Sequence, residues 1–289
     1  MSKPLIAIIA ISAIAIFVSI SSAEAQSGWY WEVDPSCIVG TTYKCNVPAG
    51  LDSDVGIPDL REAVPQHIGL QNTKQGSYLR LSTSIANTGT GQWQMRSVLP
   101  PTPEEPQFAM QQLLTPDGTS AFNAIVSTFE YHAAHKHFHI AAVTSYEIFT
   151  ADGPADTNPK NNVSTGISSQ KVTSCLIDWV KIADNAPSHE RTYWDCYGEL
   201  QGVSPGWMDQ YHHSLAGQEL NVTNLPSGYY FVILTANPER NFIESDFDNN
   251  QSWTLIKYIN DKKGNPKVEI LGNSPCPDYP GMCEYSANR

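Results

Sequence analysis

Short stretches that alternate apolar or β-branched residues with polar ones recur along the chain: SYLRLSTSIAN (77–87), FHIAAVTSYEIF (138–149), KVTSCLIDWV (171–180), GYYFVILTAN (228–237) and QSWTLIKYIN (251–260). Gly, Pro, Asn and Asp punctuate them, as they do strands. No segment keeps an apolar period of 3.6 over three turns, so helices are not expected. The spacing of the short strands predicts a mainly β chain, a single-domain β-sandwich with long functional loops, preceded by a signal peptide. Two connections are expected to be long. One is 88–127 with PPTPEEP, the other 150–169 with ADGPADTNPKNNVSTG. Loops of that length in a domain are usually functional or mobile.

The N-terminus departs from this pattern. Lys3 precedes an apolar run over residues 5–20, and SSAEA then sets Ala23 and Ala25 before Gln26. That is the layout of a cleaved secretory signal. The run is shorter than the ~20 residues that cross a bilayer. Residues 1–25 are therefore expected to be removed, leaving 26–289 as one secreted, extracellular domain with no stable membrane association. Export makes disulfides the default for the six cysteines. Cys37 with Cys45 and Cys276 with Cys283 are close enough for local pairs, an arrangement that leaves Cys175 and Cys196; sequence does not choose among the connectivities. The net charge is −12, with 17 Lys+Arg against 29 Asp+Glu. Nucleic acid is excluded as a partner, because tracking phosphates needs a basic face. Cationic partners are favoured by the same surface.

The strongest chemical signal is YHAAHKHFH (131–139), which holds His132, His135, His137 and His139, half of the chain's eight histidines. On an extended strand His135, His137 and His139 share one face. Their ~7 Å steps would need a twist or bulge to converge on one ion. Imidazole suits Cu, Zn, Fe and Ni, and three His with an open position is a catalytic pattern. Spacing leaves the metal open: a zinc hydrolase working through metal-bound water competes with a copper enzyme. A non-catalytic, calcium-stabilised sandwich is a third reading.

With those residues in view, the chain resembles the catalytic domain of the lysyl oxidase family, secreted copper amine oxidases. Besides the His cluster, KVTSCLID (171–178), GVSPGWMDQYHHSLAGQELNVTNLPSGYY (202–230) and NPERNFIESDFDNN (237–250) match family blocks in the same order. The resemblance implies copper on His135, His137 and His139, and a lysine tyrosylquinone cofactor built from Lys171 and Tyr211. It implies oxidation of a primary amine, a small molecule or a protein lysine, by dioxygen to an aldehyde, with release of ammonia and hydrogen peroxide. Lys171 must then lose its proton below the ordinary lysine pKa of about 10.4, which burial among Val172, Leu176 and Ile177 would favour.

The resemblance also implies a structural calcium on Glu244, Asp246, Asn249 and Asn250, together with Asp59 and the carbonyl of Leu60. Those are hard oxygen donors, as calcium requires. The chain departs from the family at a few positions. Ala134 stands where the animal pattern has cysteine, Gln170 replaces a histidine, Lys181 replaces a cysteine, and Ile140-Ala141-Ala142 lacks an acidic residue. Cys175 and Cys196 are thereby both left without their family partners and can pair with each other. His212 and Asp209, beside Tyr211, are the candidates for a catalytic base.

Overall fold

The computed structural model describes residues 47–169, 173–184, 186–187, 190–260 and 266–275. They carry sixteen strands, one short 3-10 turn and no α-helix. The described residues belong to a compact unit spanning 32–289. The strands are β1 (Leu60–Glu62), β2 (Gln66–Thr73), β3 (Gly76–Asn87), β4 (Trp93–Ser97), β5 (Gln107–Leu114), β6 (Ser120–His132), β7 (His137–Ile140) and β8 (Thr144–Thr150). Then come β9 (Ser164–Ser168), β10 (Val180–Lys181), β11 (Leu200–Val203), β12 (Trp207–Tyr211), β13 (Glu219–Asn221), β14 (Gly228–Ala236), β15 (Gln251–Ile259) and β16 (Lys267–Asn273). They build three antiparallel sheets. The first runs β1-β3-β12-β10 with β2 and β13 also on β3; the second is β11-β4-β5-β6-β7; the third is β16-β15-β14-β8-β9.

The mainly β, sandwich-like expectation holds, and the packing shows why. Leu79, Leu81 and Leu220 of the first sheet meet Ile148, Val232, Leu234 and Ile256 of the third. The other face of β14 and β15 buries Phe231, Ile233, Trp253 and Leu255. A strand covered on both faces needs apolar residues at every position, hence the unbroken YFVIL run in β14. The second sheet supplies Trp93, Met95, Leu113, Val126 and Phe129 to a separate core that includes Ile85 and Phe242.

Four sequence expectations change. Residues 88–127, read as a loop, contain β4, β5 and the start of β6. Buried amides hid the alternation. Gln111 is fully buried, donates Nε2–H to the Ile243 carbonyl (2.8 Å) and accepts the Ile243 N–H (2.7 Å). The run 138–149 is two strands, split where Ala142 takes a left-handed φ of 57°. Within 171–180, the described residues join a ladder only at Val180; Ser174 forms an isolated bridge to Ile140. The expected loop at 150–169 holds the 3-10 turn Pro159–Asn161 and β9.

One core residue sets a pH limit on stability. Glu62 is buried, its Oε1 accepts from Thr144 Oγ1, and its Oε2 has no hydrogen-bond partner among the described residues. Burial raises its pKa from 4.5 to about 8, with the Thr144 bond opposing. In the unfolded chain the carboxyl ionises near pH 4.5, whereas in the fold it ionises near 8. The penalty is therefore absent below about pH 4.5, grows as pH rises, and is complete above about 8, where it reaches a few kcal/mol. Glu62→Gln keeps the shape of the protonated acid. Urea unfolding is expected to find the two proteins equal at acidic pH, and the variant more stable at alkaline pH by about 2–4 kcal/mol.

Candidate metal centre

The second sheet ends in a hairpin. β6 and β7 pair with His132 opposite His137 and Glu130 opposite His139. His135 lies in the turn between them rather than on a strand. His135 and Lys136 both donate their backbone N–H to the His132 carbonyl (3.0 and 2.8 Å), and Lys136 takes a positive φ of 60°. This tight turn does the converging that a straight strand could not. His135 Nδ1 lies 3.2 Å from His139 Nε2, and His137 Nε2 lies 3.0 Å from that same atom. His139 is fully buried, and its Nδ1 meets Thr173 Oγ1 at 3.0 Å.

His132 joins the group. Its donor nitrogen lies with those of His135 and His139 in a set spanning no more than 4.8 Å. Its ring, however, stacks on His139 at 4.6 Å and 5° between planes, while the rings of His135 and His137 tilt against His139 by 56° and 36°. Parallel rings aim their nitrogens side by side and tilted rings can aim them at one point. The three donors that lie within 4.8 Å of one another are those of His132, His135 and His139, whereas the expected set has His137 in place of His132; His137 Nε2 approaches His139 Nε2 at 3.0 Å.

Tyr211, at the end of β12, faces these imidazoles. Its ring centre lies 6.3 Å from that of His135 and 6.1 Å from that of His139. The ring is buried, and Oη accepts the Cys175 backbone N–H at 2.6 Å. Burial, reinforced by the charge of Asp209, pushes the phenol well above its ordinary pKa, so it stays protonated.

The chain from 173 to 179 lacks a ladder but is clamped throughout. Ile140 and Ser174 exchange backbone bonds of 2.7 and 3.0 Å. Buried Gln201 accepts the Leu176 N–H (3.1 Å) and donates to the Phe138 carbonyl (2.9 Å), which ties this segment to the histidine strand. Asp178 accepts from Ser204 Oγ and from the N–H groups of Thr192, Tyr193 and Ser204. Cys175 and Cys196 form a disulfide, and the Cys196 carbonyl accepts the Phe138 N–H at 3.0 Å. Thr173 and Asp178 lie within the block KVTSCLID (171–178) and Gln201 lies outside the quoted blocks; each acts through where the fold puts it.

A cavity of about 360 Å³ opens beside this group. Its wall includes His135, His137, Tyr211, Asp209, Ile177 and Trp179. The family model for lysyl oxidase matches residues 107–265, a span that holds the four histidines, the clamped segment and Tyr211. The chain belongs to the lysyl oxidase family.

Among curated relatives of this lysyl oxidase family chain, lysyl oxidase homolog 4 of Mus musculus is 32% identical over 131 residues, 44% of this chain and 15% of the relative. Lysyl oxidase homolog 1 of Homo sapiens is 29% identical over 143 residues, 49% of this chain and 23% of the relative. Protein-lysine 6-oxidase of Sus scrofa is 28% identical over 131 residues, 45% of this chain and 47% of the relative. The match thus covers less than half of each relative's length. Among the described residues no helix is long and apolar enough to cross a membrane.

The oxygen-rich segment after β14 meets the start of β1. Asn249 Nδ2 donates to Asp59 (3.0 and 3.3 Å) and to Asp246 (3.1 Å). Glu244 accepts from the Leu60 N–H (2.9 Å) and from the side chains of Asn237 (2.7 Å) and Asn250 (2.8 Å). Gly89 lets the loop after β3 lie against the chain at 57–59, since a Cβ there would stand 2.4 Å from the Asp59 nitrogen. Burial, with a smaller contribution from the Asp59 charge, raises the Glu244 pKa to about 7. Lys171, the signal segment, Cys37, Cys45, Cys276 and Cys283 lie outside the described residues.

Proposed function

We propose that the chain is a secreted copper amine oxidase, with copper on His135, His137 and His139 and a lysine tyrosylquinone made from Lys171 and Tyr211. The observation that carries this reading is the placement of the Tyr211 ring about one ring-width from the imidazoles of His135 and His139. Three convergent imidazole nitrogens are a donor set that fits Cu(II). When present, copper and the quinone supply the electron transfer from a primary amine to dioxygen, with aldehyde, ammonia and hydrogen peroxide as products.

The chain's own groups do the rest. Gln201 and the Cys175 N–H hold the segment that follows Lys171 against the histidine strand and the phenol. Ile177, Trp179 and Leu215 offer the carbon chain of an amine an apolar wall that excludes water, and Asp209 on the same cavity attracts its ammonium. Residues 26–289 form the mature, exported domain in this reading.

The test is amine-dependent release of hydrogen peroxide by protein produced with copper, using a small primary amine and a lysyl peptide. Release that needs both copper and dioxygen is expected. Hydrolysis that needs zinc and survives Tyr211→Phe would contradict the proposal.

We further assign calcium to Asp59, the Leu60 carbonyl, Glu244, Asp246, Asn249 and Asn250. Asn249 Oδ1 and Asn250 Oδ1 are buried with no hydrogen-bond partner among the described residues, and three carboxylates crowd beside them. A divalent ion satisfies the orphaned oxygens and offsets the repulsion. It also clips residue 59 to residues 244–250. Saturating calcium is expected to raise stability by about 2–4 kcal/mol. Asp246→Asn combined with Asn249→Ala should abolish that gain in thermal melts.

A further inference from the structure

Three of the described arginines are neutralised: Arg61 pairs with Asp59, Arg80 with Glu219 and Arg96 with Glu199. Arg191 is not. Among the described residues its exposed guanidinium meets no carboxylate, in a chain with 29 Asp+Glu against 17 Lys+Arg. It stands instead on a wall residue of the cavity beside the histidines. We infer that Arg191 sets substrate specificity by anchoring a carboxylate carried on the amine substrate. The inference rests on the amine-oxidase reading of that cavity.

The guanidinium is held in place. Its carbon lies 4.8 Å from the centre of the Trp179 ring, within reach of a cation–π contact. Nη2 donates to the Trp179 carbonyl at 3.2 Å. The two strips of chain that carry these residues are laced together. Asp178 Oδ2 accepts the N–H groups of Thr192 (2.8 Å) and Tyr193 (3.1 Å), and the Asp178 N–H donates to the Tyr193 carbonyl (2.8 Å). Trp179 in turn donates its N–H to the Met208 carbonyl at 3.1 Å, next to Asp209 on β12. Trp179, Asp209 and Tyr211 share the cavity wall. A charge fixed before the ligand arrives loses little freedom on binding it.

The chemistry favours a carboxylate. A guanidinium has five N–H donors in a planar fork that matches the two carboxylate oxygens, and Arg191 commits one nitrogen to Trp179. Asp209 puts the opposite charge on the same cavity. A molecule with an amine at one end and a carboxylate at the other therefore meets a complementary charge at each. The net charge of −12 repels anions at long range, so Arg191 selects among amines already drawn in rather than collecting anions. A cavity of about 360 Å³ has room for the methylene arm of a lysine. The carboxylate comes either from the α-carbon of a free or C-terminal lysine or from an acidic side chain beside a lysine in a polypeptide.

The test uses pairs of amines that differ only in that group, with the copper-loaded full protein. Nα-acetyl-lysine against its amide reads the α-carboxylate; acetyl-aspartyl-lysine amide against acetyl-asparaginyl-lysine amide reads the acidic side chain. In one pair or both, wild type is expected to favour the carboxylate about 10-fold in kcat/KM. Arg191→Met should bring that ratio near one by raising KM for the carboxylate partner, with kcat changed less than about 2-fold. Arg191→Lys should recover part of the preference, because it keeps the charge without the fork. Calorimetric titration of Tyr211→Phe, with and without Arg191→Met, reads the same preference in the absence of turnover. No peroxide from any amine, with an Arg191-dependent calorimetric preference, would sink the oxidase reading and support this one. A ratio near one in both pairs, or a preference that Arg191→Met leaves intact, would overturn the inference.

Discussion

Tyr211→Phe is expected to lose amine oxidation by at least about 1,000-fold while keeping the fold and bound copper. The change removes a single oxygen. In the proposed chemistry that oxygen belongs to the ring that becomes the quinone, and phenylalanine offers no route to it. The apolar ring stays beside His135 and His139, so the ligands keep their wall. The cost to the fold is the lost acceptor for the Cys175 N–H, about 1–3 kcal/mol for a buried donor. Peroxide release, copper content and thermal melting on one preparation separate these effects. Retained turnover at bound copper would contradict the assignment of Tyr211.

His139→Gln is expected to weaken copper binding by about 100-fold or more. Its Nε2 is the atom that the nitrogens of both His135 and His137 approach, and its side chain is fully buried. Thr173 acts on the same ring from behind, through Nδ1 at 3.0 Å. Thr173→Val should weaken copper about 10-fold and Thr173→Ser should restore it, because the hydroxyl fixes which ring nitrogen carries the proton. Competition against a copper chelator of known strength reads all three. A Thr173→Val protein with unchanged affinity would show that the contact only fills space.

Much of the architecture was legible from alternation. β3, β14 and β15 were readable because apolar residues face cores on one side or both. β4 and β5 were not, since buried glutamines stand at core positions and look like loop residues until Ile243 satisfies Gln111. The histidine cluster was visible by composition, but the geometry that gathers it was not. A turn with Lys136 at positive φ does what alternation on a strand forbids. Thr173 and Asp178 lie in a matched block and Gln201 in none, but the roles of all three come from contacts 14 to 63 residues away in the chain. The oxygen cluster shows the same limit: residues 59 and 60 meet residues 249 and 244 across 190 and 184 positions, a closure that local pattern cannot reveal.

Peptide mass spectrometry of protein produced with copper is the most direct measurement of the central claim. A cross-linked pair of peptides containing Lys171 and Tyr211, with the mass of an oxidised tyrosine ring and absent from Tyr211→Phe, is the result expected. Copper-replete protein that yields both peptides separately and unmodified would contradict it.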